Sequence, residues 1–517
     1  MDVAVGAQAT EATPGATTAR SHLDALCVVL VFVAGVTLCM QVFSSNRLGA
    51  RPQIEDEFVY LFQAKTLASG HLTYPSPPLP EFFEAAHILV VPRFAAKYLP
   101  GHALVLLPFV AAGVAWLAPC LLLGATAALL FVAARLAGLS RAAGVGAALM
   151  LLGAADVFPF FASYLSQSTS MATVAALIVA AVAVERMPSA GRIAALAACS
   201  GFAMLVRPFT GIAALLVCAA MLIRLRRTVP LRTLAWAAPP LIVAALIGGI
   251  YCKAATGSWT TAPWSLYARQ YMPYDGPGIG AFHEPAVERG FPAHLRGLHD
   301  RFLESRERHT WQRFPQVVLR RLKIVAQLAP SWGLVPFAIA GLLWTPLWSA
   351  WLFAAVFFLL QLTFHVGGAI YHLEIFPSLA LAAAAGAELL TLAALRLRRP
   401  LSQVVLALLA GAALFIAVQI GTAVEVVWRR ASERAWVYAR WESAFEWFRE
   451  RRALVFIRYP ANWDCNLDLT YNEPDLARAD VVRAIDRGAR NVELMRYFPD
   501  RPAFVFDPIS RRVEPLR

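Results

Sequence analysis

The sequence predicts an all-α polytopic membrane protein with about eleven transmembrane helices, a long loop after the first of them and a small α/β appendage at the C-terminus. Three observations carry this prediction. Of 517 residues, 59% are hydrophobic and only 15% charged, against about 45–50% and about 25% in soluble domains. The apolar residues gather in runs of roughly twenty, the length that crosses a hydrocarbon core of about 30 Å. Arginine concentrates in the short connections between runs, as it does in cytoplasmic loops. A single soluble domain is therefore excluded. The net charge of +13 reads as loop arginine, so the expected partner is the lipid bilayer and no nucleic acid.

Residues 1–20 are small and polar and read as a disordered cytoplasmic tail before a multi-pass domain over 21–427. The first apolar run, 25–43, has no small-residue cleavage site behind it and reads as a retained signal anchor. Further runs occupy 116–137, 143–163, 169–186, 193–207, 210–226, 232–252, 324–345, 347–365, 375–395 and 401–427. The apolar stretch 102–113 is short and bounded by Pro100, Pro108 and Gly113, which fits an interfacial or re-entrant helix. Threading eleven spans in order puts Arg135, Arg141, Arg186, Arg192, Arg224, Arg226, Arg227, Arg232, Arg396, Arg398 and Arg399 on one side, the cytoplasm. The loops 44–101 and 253–322 and the segment 428–517 are then exoplasmic. Within that last segment, strand-like runs at 453–457 and 503–506 flank a polar, helical-looking stretch at 479–487.

The first loop holds the most chemistry. Glu55, Asp56 and Glu57 precede a stretch in which Phe58, Leu61, Phe62 and Leu67 share a helical face, so the acids sit at the N-terminus of an interfacial helix. Acids there also need no purpose beyond the helix dipole. The second half of the loop adds His87, Arg93, Lys97, Tyr98 and His102 beside a Pro-Gly turn. A carboxylate to take a proton and cations to hold a phosphate, both at a lipid boundary, suit transfer from a lipid-linked phosphate donor; Lys97 alone reads equally well as a snorkelling lysine. Arg207, where an apolar run meets Pro208, is a second candidate cation, since charge near membrane depth is costly; capping of a helix C-terminus is the competing reading. Tyr371, His372 and Glu374, next to His365, form a polar island without metal-ligand spacing. Trp259, Trp264 and Trp332 are expected in the interfacial aromatic belt.

Taken together, the first span, then Asp-Glu-x-x-Tyr-x-x-x-Ala with a glycine six residues on (Asp56, Glu57, Tyr60, Ala64, Gly70), then Lys-Tyr-x-Pro-Gly (Lys97 to Gly101), resemble the GT-C class of integral-membrane glycosyltransferases. The resemblance is to the bacterial branch similar to protein O-mannosyltransferases and lipid A aminoarabinose transferases. Residues 205–208 (Leu-Val-Arg-Pro), 255–259 (Ala-Thr-Gly-Ser-Trp) and 371–374 (Tyr-His-Leu-Glu) look like further features of that branch. A doubled proline after the lysine is replaced here by Tyr98-Leu99-Pro100. The resemblance implies a GT-C-like fold in a bacterial inner membrane with its active site facing the periplasm or exterior. It implies inverting transfer of a hexosyl or pentosyl group from a polyprenyl-phosphate-sugar donor to a glycan, lipid or protein acceptor. Asp56 then matches the catalytic base, Glu57 its neighbour and Lys97 the lysine near the donor phosphate. No resident cofactor is expected, and a divalent cation is left open. The competing class is a transporter or flippase of a lipid-linked or anionic substrate, which would place its charges on broken helices at the bilayer midplane.

Overall fold

The computed structural model describes residues 14–45, 51–154, 157–281, 287–328, 332–397, 399–460 and 463–516. Its helices run in the order α1 (Pro14–Ser45), α2 (Glu55–Ala68), α3 (Gly101–Ala111), α4 (Leu117–Leu136), α5 (Arg141–Leu152), α6 (Phe158–Phe161), α7 (Ser166–Arg186), α8 (Ala190–Val206) and α9 (Pro208–Leu225). They continue as α10 (Leu231–Leu234), α11 (Ala238–Thr256), α12 (Pro263–Tyr271), α13 (Arg296–Glu307), α14 (Phe314–Leu328), α15 (Val335–Gly341), α16 (Trp348–Leu362), α17 (Phe376–Ala394), α18 (Arg399–Glu450) and α19 (Asn491–Met495). Among the described residues, eight stretches are long and apolar enough to cross a membrane: Ser21–Phe43, Leu117–Leu136, Ser166–Arg186, Pro208–Leu225, Leu231–Thr256, Thr345–Leu362, Leu373–Ala394 and Arg399–Ala423.

The other three expected spans fall on shorter pieces. The run 143–163 is divided between α5 and α6, 193–207 is the 17-residue α8, and 324–345 straddles the end of α14 and the short α15. Continuous hydrophobicity does not reveal such breaks, because a buried segment stays apolar whether or not its helix continues. Residues 14–20, expected in the tail, already belong to α1, whereas 1–13 lie outside the described residues. The boundary expected at 428 falls inside the continuous α18.

Small residues let the helices approach closely. A Cβ at Gly124 of α4 would lie 2.6 Å from the Phe32 carbonyl of α1, so this crossing requires glycine. Earlier on α1, Asp24 pairs with Arg141 at 2.5 Å and Arg135 at 3.4 Å.

The first loop folds into α2 and a three-stranded antiparallel sheet, β1 (Tyr74–Pro75), β2 (Ile88–Leu89) and β3 (Arg93–Ala96), in the order β1-β3-β2. The C-terminal segment forms β4 (Leu454–Ile457), β5 (Val482–Ile485), β6 (Ala503–Phe506) and β7 (Val513–Leu516), ordered β5-β4-β6-β7 with only β7 antiparallel. Both apolar runs read as strands are strands. The stretch 479–487, expected helical, instead carries β5, whose alternate residues Val482 and Ala484 are buried. This period-2 pattern is short and interrupted by charge, which hid it from a helical reading.

Every residue of β4 is buried, as in a strand covered on both faces. Leu454 and Phe456 pack against Phe82, Phe83 and Ile88 of the first loop. Val455 and Ile457 pack against Trp441, Phe445 and Phe448 of α18. The first loop and the C-terminal sheet therefore share one core at one end of the helices.

Candidate active site

Residues Glu55 to Glu57 occupy the first turn of α2, beside its exposed N–H groups. Helical period then sends them to different places. Asp56 and Tyr60, four residues apart, face the same cavity, while Glu57 is buried in the protein. One Glu57 carboxylate oxygen accepts from the Tyr164 backbone N–H at 2.9 Å and the other from the Gln53 N–H at 3.2 Å.

Asp56 Oδ1 accepts a hydrogen bond from the Tyr98 hydroxyl and stands 3.6 Å from His87 Nε2. Burial, with the Asp56 charge adding to it, holds the Tyr98 pKa well above the usual phenol range, so Tyr98 remains the donor. Burial and the nearby Lys97 charge hold His87 well below its usual range, leaving a neutral imidazole beside the carboxylate. His87 adopts a left-handed backbone (φ 65°), an uncommon conformation for a residue with a side chain. Its N–H donates to the Tyr267 hydroxyl at 3.1 Å and its carbonyl accepts from Lys97 N–H at 3.1 Å. Glu55 also lines the cavity; burial first, and Asp56 second, push its pKa up to about 7.

Lys97 follows β3 and is buried, its ammonium 5.3 Å from the Tyr98 ring centroid and 5.1 Å from that of Tyr267. The Pro-Gly turn after it has a steric reason. A Cβ at Gly101 would lie 2.5 Å from the Leu205 carbonyl carbon at the end of α8, and glycine permits this approach. The contact brings the Lys97 segment up to Arg207, the extended residue between α8 and α9. Arg207 Nε pairs with the buried Glu374 Oε1 at 2.8 Å. Its Nη1 donates to Ser166 Oγ at 3.2 Å, which also accepts from Tyr60 Oη at 2.8 Å.

Asp56, Lys97, Tyr98, His87 and Arg207 thus line one cavity of about 250 Å3, together with Glu55, Tyr60, Gln167, Trp264, Asp275, Gln361 and Tyr371. Glu55 Oε2, Gln167 Oε1 and Gln361 Oε1 are buried without a hydrogen-bond partner among the described residues, the condition of a site built for a polar ligand. Among the described residues, no three of His, Cys, Asp and Glu come together in a way that could hold a metal ion.

Three sequence candidates fall outside this lining. Glu57 is tied to backbone N–H groups. His102 lies between Thr169 Oγ1 and the Tyr164 carbonyl, 2.8 Å from each. Arg93 donates to Thr73 Oγ1 at 3.1 Å on β3. Alternation along β3 and the turn at Gly101 direct these groups away although they are close in sequence.

The chain as a whole is similar in fold to two solved structures. One is ArnT from Cupriavidus metallidurans bound to undecaprenyl phosphate, with TM-score 0.54 and 14% identity, covering 95% of this chain and 93% of that one. The other is the same protein in the apo state, with TM-score 0.51, 15% identity and the same coverage. The chain has the ArnT fold. This is the fold that the first-loop motifs imply. No family model and no curated protein matches the sequence.

Within the ArnT fold, several lining residues escaped the sequence reading. Glu55 was visible as an acid, but its orientation was not. Trp264, expected in an aromatic belt, instead lines the cavity from α12, whereas Trp259 is exposed; the Trp332 side chain lies outside the described part. Asp275, Gln167 and Gln361 are isolated polar residues that no local spacing marks. The polar island was half informative: Tyr371 lines the cavity and Glu374 holds Arg207, while His372 Nδ1 lies 3.0 Å from the Gly368 carbonyl.

Proposed function

We propose that this chain is a bacterial inner-membrane glycosyltransferase that moves a sugar from a polyprenyl-phosphate-linked donor to an acceptor hydroxyl at the periplasmic face, with inversion. The observation that carries the reading is the convergence of the Asp56 carboxylate and the Lys97 ammonium on one cavity of a protein with the ArnT fold. Undecaprenyl phosphate bound to ArnT supports the donor class.

In this mechanism Asp56 accepts the acceptor proton as the new C–O bond forms, a role that typically contributes about 10²–10⁴-fold. Tyr98 fixes the carboxylate, and the neutral His87 beside it brings no positive charge to oppose its basicity. Lys97, and Arg207 held by Glu374, stabilise the charge that develops on the departing polyprenyl phosphate. Attack from the face opposite the leaving phosphate inverts the anomeric centre. Glu57 and His102 act as positioning residues that anchor α2 and α3 to the segment 164–169.

The test incubates the purified full-length protein with polyprenyl-phosphate-linked hexose and pentose donors and envelope extract. NMR of the product then reads the anomeric configuration. Transfer with inversion by wild type, and transfer slowed about 10²–10⁴-fold in Asp56→Asn, is expected; transfer by Asp56→Asn within about tenfold of wild type refutes the assignment.

A further inference from the structure

Among the described residues a second cavity, larger than the candidate active site, lies elsewhere. A cleft of about 600 Å3 opens on the other face of α2, between that helix and the C-terminal sheet, and no residue lines both cavities. Phe58, Leu61 and Phe62 of α2 form one wall, and Trp441 and Phe445 of α18 another. Arg51, Arg449 and Arg483 line the same space.

The charges do not balance within the cleft. Of its acids, Asp468 is engaged by the Tyr459 hydroxyl at 2.7 Å and by Thr470 at 2.6 Å. Glu473 pairs with Lys65 at 2.5 Å, and Asp480 also faces Arg501. Arg483 projects from β5 with its guanidinium 4.2 Å from the Phe445 ring centroid. Among the described residues its one side-chain hydrogen bond, Nη1 to the Leu469 carbonyl at 3.5 Å, is at the limit of contact. Among the described residues neither Arg483 nor Arg449 has a carboxylate within ion-pair distance. Burial pushes Arg483 down to about 10; Tyr459 and Glu473 offset this, while Arg449 and Arg51 add to it. A partly buried guanidinium such as Arg483, with the Arg449 charge acting against it, is unfavourable until an anion joins the pair.

We propose that this cleft is a second ligand site that binds a phosphomonoester, held by Arg483 and Arg449 with Arg51 at its edge and flanked by the apolar wall of α2. A doubly charged phosphate offers each guanidinium fork its own pair of oxygens, which a single carboxylate cannot do. The phosphomonoester is carried either by a soluble sugar or by a lipid headgroup.

The full-length protein in detergent is titrated with glucose 1-phosphate, and separately with phosphatidylcholine vesicles with and without phosphatidate, following intrinsic tryptophan fluorescence. Saturable binding is expected for glucose 1-phosphate or for phosphatidate vesicles, and none for glucose or plain phosphatidylcholine. The probe that binds identifies the carrier. Arg483→Gln and the exposed Arg449→Gln should each weaken binding roughly tenfold, while Lys97→Ala in the other cavity leaves it unchanged. Arg449→Gln keeps the test valid if the partly buried Arg483 variant fails to fold. Absence of saturable binding to both probes, or binding that depends on Lys97 and neither arginine, overturns the proposal. Neither result bears on Asp56, so failure here is separable from failure of the transferase reading.

Discussion

Replacement of Asp56 by asparagine tests the proposed chemistry with the least structural disturbance. The Tyr98 hydroxyl donates to Asp56 Oδ1, and an asparagine carbonyl at that place still accepts this bond. The neutral His87, 3.6 Å away, loses no ion pair. What vanishes is the capacity to take a proton, so the expected effect is the contribution of a general base, about 10²–10⁴-fold in kcat, or roughly 3–5 kcal/mol in the barrier. Tyr98→Phe provides the scale. It keeps the base but removes one charge-assisted hydrogen bond, worth about 1.5–3 kcal/mol, or roughly 10–100-fold. The assay is single-turnover transfer from a radiolabelled polyprenyl-phosphate sugar, run with undecaprenyl phosphate binding on the same preparations. Asp56→Asn should fall below Tyr98→Phe in rate while binding undecaprenyl phosphate as wild type does. A rate within tenfold of wild type, or a loss confined to lipid binding, refutes Asp56 as base.

Lys97→Ala removes the ammonium seated against Tyr98 and Tyr267 and should weaken undecaprenyl phosphate binding by about 10–100-fold, with a smaller effect on acceptor KM; equal effects on both substrates would contradict phosphate contact. Gly101→Ala forces a Cβ to within 2.5 Å of the Leu205 carbonyl carbon, so α3 must shift at a cost of about 1–3 kcal/mol, read as a lowered Tm in detergent together with weaker donor binding. Glu55 supplies a pH signature. Its folded pKa of about 7 lies above the ordinary carboxyl value, so the folded protein binds more protons between about pH 4.5 and 7. Its stabilising contribution is full below that window and is lost as pH rises through it, on the order of 3 kcal/mol. Thermal melts of Glu55→Gln should lack this decline, and an unchanged profile would show that Glu55 does not titrate there.

The membrane class and the placing of the first-loop acids at the start of a helix were legible because each rests on a local signal. Hydrophobic run length reports the bilayer directly, and the spacing of Asp56 from Tyr60 is one helical turn. The long-range features were not legible in the same way. Glu57 looked equivalent to Asp56 until the backbone of Tyr164 claimed it, 107 residues away. His102 and Arg93 share a loop with Lys97, yet their directions depend on strand alternation and on a turn whose glycine answers to Leu205. Asp275, Gln167 and Gln361 reach the cavity from segments far apart in sequence, and no spacing rule connects them. Lengths of interrupted helices were hidden for a different reason: burial keeps α5, α6 and α15 apolar after helical continuity has ended.

Helix α2 links the two cavities because its opposite faces have different tasks. Asp56 and Tyr60 look into the candidate active site, whereas Phe58 stacks on Tyr471 of the C-terminal segment with ring centroids 4.7 Å apart and nearly parallel planes. The Tyr60–Ser166–Arg207–Glu374 chain ties the same helix to α7, to the α8–α9 junction and to the start of the span that holds α17. A rotation of α2 would therefore move Asp56 relative to Arg207 and disturb the packing of the sheet at once. Sub-ångström placement of reacting groups governs rate, so in the proposed reaction the C-terminal sheet would contribute by holding α2 still, even though none of its strands lines the cavity that contains Asp56.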